Sequence, residues 1–201
     1  ALRRPLLEQA EAVPVAVVEV AQPGLLHGGH HCDLEAALGD VALLAEHGPE
    51  IARAAQAAGV DMGFEASVGG GIPIIRAMRE GLAANRIREI YGIINGTCNY
   101  ILSRMTDEGM EYGEVLAAAQ KIGLAEADPS FDVDGIDSVH KLAILVWLAT
   151  GAYVSPKQIF VEGIRDVSAL DIAFAREFGY AIKLLAIAKE QDGQFQAAIE
   201  D

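Results

Sequence analysis

Residues 124–141, LAEADPSFDVDGIDSVHK, bring five carboxylates into a dozen positions and end on a lysine. Asp137 and Lys141 are four residues apart, so on a helix they share one face. The residues after Lys141 are apolar, which places this lysine where a helix enters the core. Such a lysine is a snorkelling surface residue, half of a structural ion pair, or a cation held in a cleft that delivers a proton. The spacing alone excludes none of these three roles, and it favours the structural ion pair, which is common in proteins.

The same segment partly matches a calcium-binding loop. Ser130, Asp132, Asp134 and Gly135 fit the first, third, fifth and sixth positions of a helix–loop–helix calcium site. The last position of that loop needs a bidentate glutamate but holds Lys141, so the pattern disfavours calcium. A solvated loop is the alternative, in which the Asp134 carboxylate accepts N–H groups from the first turn of the next helix. We expect that capping role for Asp134.

A second short motif, Asn95-Gly96-Thr97, directly precedes an expected helix. Free N–H groups at the start of a helix favour a bound anion. A plain turn with Thr97 as the N-cap explains the same residues and is the simpler interpretation.

The run His27, His30, His31 and Cys32 offers nitrogen and sulfur ligands for zinc. Its spacing matches no common zinc pattern. We therefore interpret this run as a loop.

Strands and helices alternate along the chain, which predicts an α/β fold. A helix at 135–151 carries Asp137 and Lys141, and a hairpin at 180–200 turns at Asp192-Gly193. The other expected elements are strands at 13–20, 61–68 and 86–95, helices at 33–40, 41–60, 96–109, 111–123 and 168–179, and a helix that follows a glycine loop within 69–85.

Composition excludes several classes of partner. Lys and Arg number 15 against 29 Asp and Glu, a net charge of −14, which argues against nucleic-acid binding. No apolar run reaches the roughly 18 residues needed to cross a bilayer, and the acidic N-terminal stretch is a poor signal peptide. Two cysteines, Cys32 and Cys98, suit a reducing compartment, so we expect a cytoplasmic protein without a membrane span.

Three segments resemble successive signatures of homoserine dehydrogenase: FEASVGGGIPIIRAMREGLAANRI, YGIINGTCNYIL and GLAEADPSFDVDGIDSVHKLAIL. Their order and distances also match, and the resemblance runs from about Val41 to the end of the chain. It implies an oxidoreductase that interconverts L-aspartate 4-semialdehyde and L-homoserine with NADP or NAD, on the route to threonine and methionine. It also implies a homodimer, and a mixed sheet covered by helices beside a Rossmann-like nucleotide-binding domain.

The resemblance assigns roles within the acidic segment. Lys141 would donate a proton to the carbonyl oxygen as hydride reaches the carbon, and Asp137 would hold that lysine. Glu126 would bind the ammonium group of the substrate, with Asp132 nearby. A cation beside the reacting oxygen is chemically sensible, because reducing an aldehyde builds alkoxide charge. Leu124 departs from the family, which often has tyrosine there, so any contribution of a hydroxyl is lost.

The resemblance also assigns roles outside that segment. Gly96 and Thr97 would contact the substrate or the nicotinamide. In family members with a sodium site, backbone carbonyls of the glycine-rich segment bind Na⁺. The corresponding residues are Glu65, Val68, Gly70 and Ile72.

The nucleotide-binding part expected of this family is incomplete. The chain has no GxGxxG turn between a strand and a helix, and Val41 stands where the family has a second active-site lysine. We therefore expect residues 1–60 to be an incomplete nucleotide-binding region and 61–201 the substrate-binding and dimerising domain. The join at Asp40-Val41 suggests segments omitted from a longer protein, or a truncated relative.

Two alternatives to a complete dehydrogenase remain open. One is a non-catalytic homologue that dimerises or binds a ligand, which the missing GxGxxG turn and the missing lysine favour. The other is a different amino-acid-pathway dehydrogenase, which the specific run AEADPSFDVDGIDSVHK disfavours.

Overall fold

The structure is a computed structural model that describes residues 40–191 and 194–201. The expected strand at 13–20, nearly all of the helix at 33–40 and the run of histidines with Cys32 lie outside the described residues. The turn residues of the hairpin, 192 and 193, lie outside them as well.

The elements are numbered from the first described residue. The helices are α1 (Val41–Ala58), α2 (Ile74–Arg76), α3 (Gly96–Glu108), α4 (Tyr112–Lys121), α5 (Ser130–Val133), α6 (Ile136–Thr150) and α7 (Ala169–Glu177). The strands are β1 (Glu89–Gly92), β2 (Phe160–Val161), β3 (Leu185–Gln191) and β4 (Gln194–Glu200). Short 3₁₀ turns cover Glu65–Ser67 and Pro156–Gln158, and α2 continues into a π-helical turn at Ala77–Gly81.

The four strands form one mixed sheet in the order β1-β3-β4-β2. Strand β3 pairs antiparallel with both β1 and β4, whereas β2 runs parallel to β4. The pairing of Gln191 with Gln194 confirms the predicted hairpin. The mixed sheet with its covering helices confirms the expected α/β class.

Helix α6 forms the centre of the hydrophobic core and positions the acidic segment. Leu142, Ile144 and Val146 are buried, and the helix contacts β3, β4 and α1. Leu44 of α1 belongs to the same core cluster. The domain boundary proposed at residue 60 remains a prediction. Among the described residues, no helix is long and apolar enough to cross a membrane.

The predicted strand at 61–68 is wrong, because this segment forms the 3₁₀ turn at Glu65–Ser67 within a loop. The Ser67 N–H and hydroxyl both donate to the carbonyl of Phe64, at 3.1 and 2.5 Å. A serine that bonds nearby backbone in this way competes with extended structure. The apolar residues Phe64 and Val68 are buried nevertheless, so the segment has the burial of a strand without its pairing.

Candidate active site

Lys141 and Asp137 form a close ion pair on α6. The ammonium Nζ lies 2.6 Å from Oδ2 of Asp137 and also donates to the carbonyl of Ile94 at 3.0 Å. The Lys141 and Asp137 side chains are 20% and 10% exposed, respectively. The predicted shared helix face is therefore confirmed. A pair that is mostly buried but still reaches solvent can exchange a proton with a small molecule.

Asn95 joins this pair to a second carboxylate. Its amide nitrogen Nδ2 donates to Oδ1 of Asp132 at 2.7 Å and to Oδ2 of Asp137 at 2.9 Å. Its Oδ1 accepts the N–H of Cys98 at 2.8 Å, and the residue is only 4% exposed. The structure thus brings Asp132, Asp137 and Lys141 together through one amide.

The sequence did not predict the hydrogen bonds of Asn95 to the two carboxylates. The simpler interpretation made Thr97 the N-cap of α3, which is wrong, because Asn95 is the cap. The available signal was residue type, since asparagine is among the strongest N-cap residues. Its two carboxylate partners are 37 and 42 residues away in the chain, so no local pattern identifies them.

The first turn of α3 faces the same region. The Thr97 hydroxyl donates to the carbonyl of Leu124 at 3.3 Å. Within the described part of the chain, the backbone N–H groups of Gly96 and Thr97 donate to no acceptor, as expected at the start of a helix. Gly96 is exposed, and a Cβ on it would meet no atom within 4 Å. These N–H groups can therefore receive an anionic or carbonyl oxygen.

Glu126 lies on the exposed loop between α4 and α5. The Gln120 side chain donates to the carbonyls of Glu126 and Ala127, at 2.9 and 3.3 Å. The carboxylate of Glu126 makes no hydrogen bond or ion pair within residues 40–191 and 194–201, so the structure does not bring it into contact with the Lys141–Asp137 pair. The loop is nevertheless fixed at Leu124 by α3 and at Glu126 by α4.

Asp134 does not cap α6, and that prediction is wrong. The cap is Gly135, which has a φ of 78° and no side-chain bond. Asp134 instead forms an ion pair with Arg165, which also donates to the Ser130 hydroxyl at 2.8 Å. The left-handed turn at Gly135 separates Asp134 from the N–H groups of α6. The bond to Asp134 raises the pKa of Arg165.

Asp128, to which the sequence assigns no role, fixes the start of α5. Its Oδ1 accepts the N–H and the hydroxyl of Ser130, at 3.1 and 2.5 Å. The hydroxyl bond, followed by the N–H bond, lowers the pKa of Asp128. Asp128 and Asp134 therefore hold the acidic segment through Ser130 and Arg165.

Cys98 and His140, two further residues of a reactive type, have pKa values that burial shifts. The Cys98 thiol is buried and donates to the carbonyl of Asp132 at 3.3 Å. Burial, together with the charge of Asp132, raises the pKa of Cys98, so it stays a neutral thiol. Burial lowers the pKa of His140, which lies beside the ring of Phe131. Both pKa shifts favour the uncharged form of the side chain.

The carboxylates of the acidic segment bond to groups of the protein and are not gathered into one cluster. Among the described residues, no group of three or more His, Cys, Asp or Glu side chains could hold a metal ion. In the glycine-rich segment, the carboxylate of Glu65 accepts the N–H groups of Ile75 and Arg76, at 2.9 and 2.8 Å. The carbonyl of Ile72 accepts the N–H of Ile74 at 2.8 Å. The sodium ligands are backbone carbonyls, and their role stays a prediction.

Comparison with known proteins identifies the family of this chain. Residues 73–200 match the family described as homoserine dehydrogenase. The homoserine dehydrogenase of Synechocystis sp. is 54% identical over 159 residues, which cover 79% of this chain and 37% of that protein. The enzyme of Pseudomonas aeruginosa is 48% identical over 158 residues, covering 79% of this chain and 36% of that protein.

A solved structure shares the fold. The homoserine dehydrogenase from Thiobacillus denitrificans superposes with a TM-score of 0.78 at 49% identity, covering 80% of this chain and 37% of that one. The chain thus spans little more than a third of the length of these relatives. The match to the family covers more than half of the chain, and the chain belongs to the homoserine dehydrogenase family.

Proposed function

We propose that this chain carries the substrate-binding and proton-transferring part of an NAD(P)-dependent homoserine dehydrogenase, which interconverts L-aspartate 4-semialdehyde and L-homoserine. The observation that carries the proposal is the partly exposed ammonium of Lys141. It is fixed by Asp137 and Ile94 at the end of a buried helix face. Family membership gives the reaction, and this pair gives it a proton donor.

The bonding of Lys141 leaves one of its protons for the substrate. An ammonium group has three N–H donors. Two of them point to Asp137 and the carbonyl of Ile94, and the third has no acceptor within the described chain. That third donor would meet the aldehyde oxygen and deliver a proton as negative charge develops there. In the reverse direction, neutral Lys141 would take the hydroxyl proton of homoserine.

The rest of the substrate would lie between the first turn of α3 and the loop after α4. The free carboxylate of Glu126 suits the substrate's ammonium group, with Asp132 nearby. The free N–H groups of Gly96 and Thr97 suit the substrate or the nicotinamide ring. The bonds from Thr97 to Leu124 and from Gln120 to Glu126 support this, because they tie these two regions together.

The described residues do not themselves form a dinucleotide site. Their sheet is mixed and mostly antiparallel, whereas a dinucleotide site needs parallel strands with a glycine-rich turn into a helix. The hydride for the carbonyl carbon comes from NADPH or NADH in this family. We assign the chain no step through that cofactor, and we keep 1–60 as an incomplete nucleotide-binding region and 61–201 as the substrate domain.

Three further features complete the proposal. Carbonyls of Glu65, Val68, Gly70 and Ile72 would bind Na⁺. The protein would form a homodimer, which is consistent with the exposed ring of Tyr91 on the face of the sheet opposite α6. A cytoplasmic location is consistent with a buried, unpaired Cys98. Analytical ultracentrifugation tests the dimer, and a titration with Na⁺ against K⁺ tests the sodium site.

Homoserine-dependent reduction of NADP⁺ and NAD⁺ tests the activity. The assay uses the 201-residue chain and a chimera in which this chain replaces the matched part of the Synechocystis enzyme. Turnover by the chimera alone would place the missing function in the nucleotide-binding part. The absence of turnover by both would overturn the proposal, and homoserine binding without turnover would support the non-catalytic alternative.

The variant Lys141→Ala tests the proton-transfer role within that assay. We expect turnover to fall by several orders of magnitude, roughly 10²–10⁴-fold for a lost general acid. Lys157→Ala is the matched control, because Lys157 is exposed and its side chain makes no hydrogen bond or ion pair within the described residues. Equal turnover by both variants would remove Lys141 from proton transfer.

A further inference from the structure

We infer that Asn95 is a positioning residue that sets the place of the Lys141 ammonium through Asp137 and ties that pair to Asp132. The inference rests on the proposed function where it concerns the reaction. The bonding that carries it can be tested without turnover.

Every polar group of the Asn95 amide has a defined partner. One N–H donates to Asp132 at 2.7 Å, the other donates to Asp137 at 2.9 Å, and the oxygen accepts the N–H of Cys98 at 2.8 Å. The orientation of the amide is decided by chemistry, because an amide oxygen could not face two carboxylates. At 4% exposure, water does not compete for these bonds.

Capping of α3 does not explain why this residue is asparagine. Aspartate and serine cap helices as well as asparagine does. Aspartate would present no donor to the two carboxylates, and serine would present only one. Among these capping residues, only asparagine supplies two donors and a cap acceptor in one short side chain.

The position of Lys141 depends on this amide. Oδ2 of Asp137 accepts from Asn95 and from Lys141, so the amide fixes the oxygen to which the ammonium is bound. Without its two N–H donors, the carboxylate of Asp132 would lose its partner, that of Asp137 would keep only Lys141, and the two negative charges would repel with no shared donor between them. The ammonium would then lose its defined distance to the substrate oxygen.

Two cap-preserving variants separate positioning from folding. Asn95→Ser and Asn95→Asp keep an acceptor for the N–H of Cys98. We expect both to lower kcat by about 100-fold, the order of loss for a misplaced catalytic group. The KM for homoserine should change less than kcat, because Glu126, the main carboxylate proposed for the ammonium group, makes no hydrogen bond to Asn95. Asn99→Ser is the control, since it removes an amide one turn further along α3 that bonds Lys183.

These kinetic measurements use whichever of the chain and the chimera turns over. Unchanged kcat in both Asn95 variants would overturn the inference. A fall in kcat matched by Asn99→Ser would also overturn it, because a general weakening of α3 would then explain the loss. A fall confined to Asn95, with the melting temperature close to that of the control, would support it.

Nuclear magnetic resonance of the full 201-residue chain tests the bonding directly. The two Nδ2 protons of Asn95 should be shifted downfield and slow to exchange. Asp132→Asn should move one of them and Asp137→Asn the other. If neither proton responds, the inference is wrong whatever the enzyme does. A chain and chimera without turnover would overturn the proposed function and leave these two protons to decide whether Asn95 bridges the carboxylates.

Discussion

Asp137→Asn removes a negative charge from the buried pair and keeps its shape. Lys141 and Asn95 both donate to the same oxygen, Oδ2, at 2.6 and 2.9 Å. The oxygen of an introduced amide can occupy that place and accept both bonds. The substitution therefore tests the charge of residue 137 rather than its geometry.

The expected loss follows from the two bonds. A hydrogen bond to a charged group contributes about 1.5–3 kcal/mol and one between neutral groups about 0.5–1.5 kcal/mol. The bond from Asn95 becomes neutral and should lose about 1 kcal/mol; the bond from Lys141 loses the attraction of an ion pair, about 1 kcal/mol, so the free energy of unfolding should fall by about 2 kcal/mol. Solvent screening reduces this little, because the side chains of Asp137 and Lys141 are only 10% and 20% exposed. A loss of this size that is confined to the transition state lowers turnover about 30-fold, which is the fall that we expect.

Urea denaturation of the chain measures the stability, and homoserine-dependent reduction of NADP⁺ measures the turnover. Glu80→Gln is the control, because Glu80 forms an exposed pair with Arg76 at the same i, i+4 spacing. An exposed pair contributes little, so the control should leave both quantities nearly unchanged. If Asp137→Asn behaves like the control in both assays, the charge of Asp137 does not hold Lys141.

Two further predictions concern the support of the acidic segment. Gly163→Ala should destabilise the fold by about 1–3 kcal/mol in urea, because a Cβ would clash with the carbonyl oxygen of Val133. Gly113→Ala, in the open first turn of α4, should not destabilise it; equal losses would refute the clash. The Ser130 bonds lower the pKa of Asp128, so this carboxylate stabilises the fold above its unfolded pKa of about 3.9, and the contribution is lost as pH falls through the folded pKa. The melting-temperature difference between the parent chain and Asp128→Asn should therefore shrink on acidification, and a constant difference would contradict this.

What the sequence predicts correctly depends on neighbours close in the chain. Asp137 and Lys141 share a helix face because four residues separate them, and helix periodicity fixes that relation before any tertiary contact forms. The hairpin of β3 and β4 is similarly local, since only two residues separate its paired strands in the chain. These elements could be predicted because their pairing needs no information from elsewhere in the chain.

At the site, the errors concern residues whose partners lie far away in the chain. Asp134 has the residue type of a helix cap, but Arg165, 31 residues away, takes its carboxylate. Asn95 has the residue type of a cap and is one, yet its two carboxylate partners come from α5 and α6. Residue type gives the set of possible bonds, and the fold selects among them.

The same selection sorts the five carboxylates of the acidic segment. Asp134 forms an ion pair with Arg165, and Asp128 accepts a hydrogen bond from Ser130. These two bonds hold the segment in place. Asp132 and Asp137 share the amide of Asn95, and Asp137 also holds the lysine. Within the described chain, Glu126 is the member of the five left without a hydrogen-bonded or charged partner. On a loop that is fixed at Leu124 and Glu126, this carboxylate is the one that we propose for the ammonium group of the substrate.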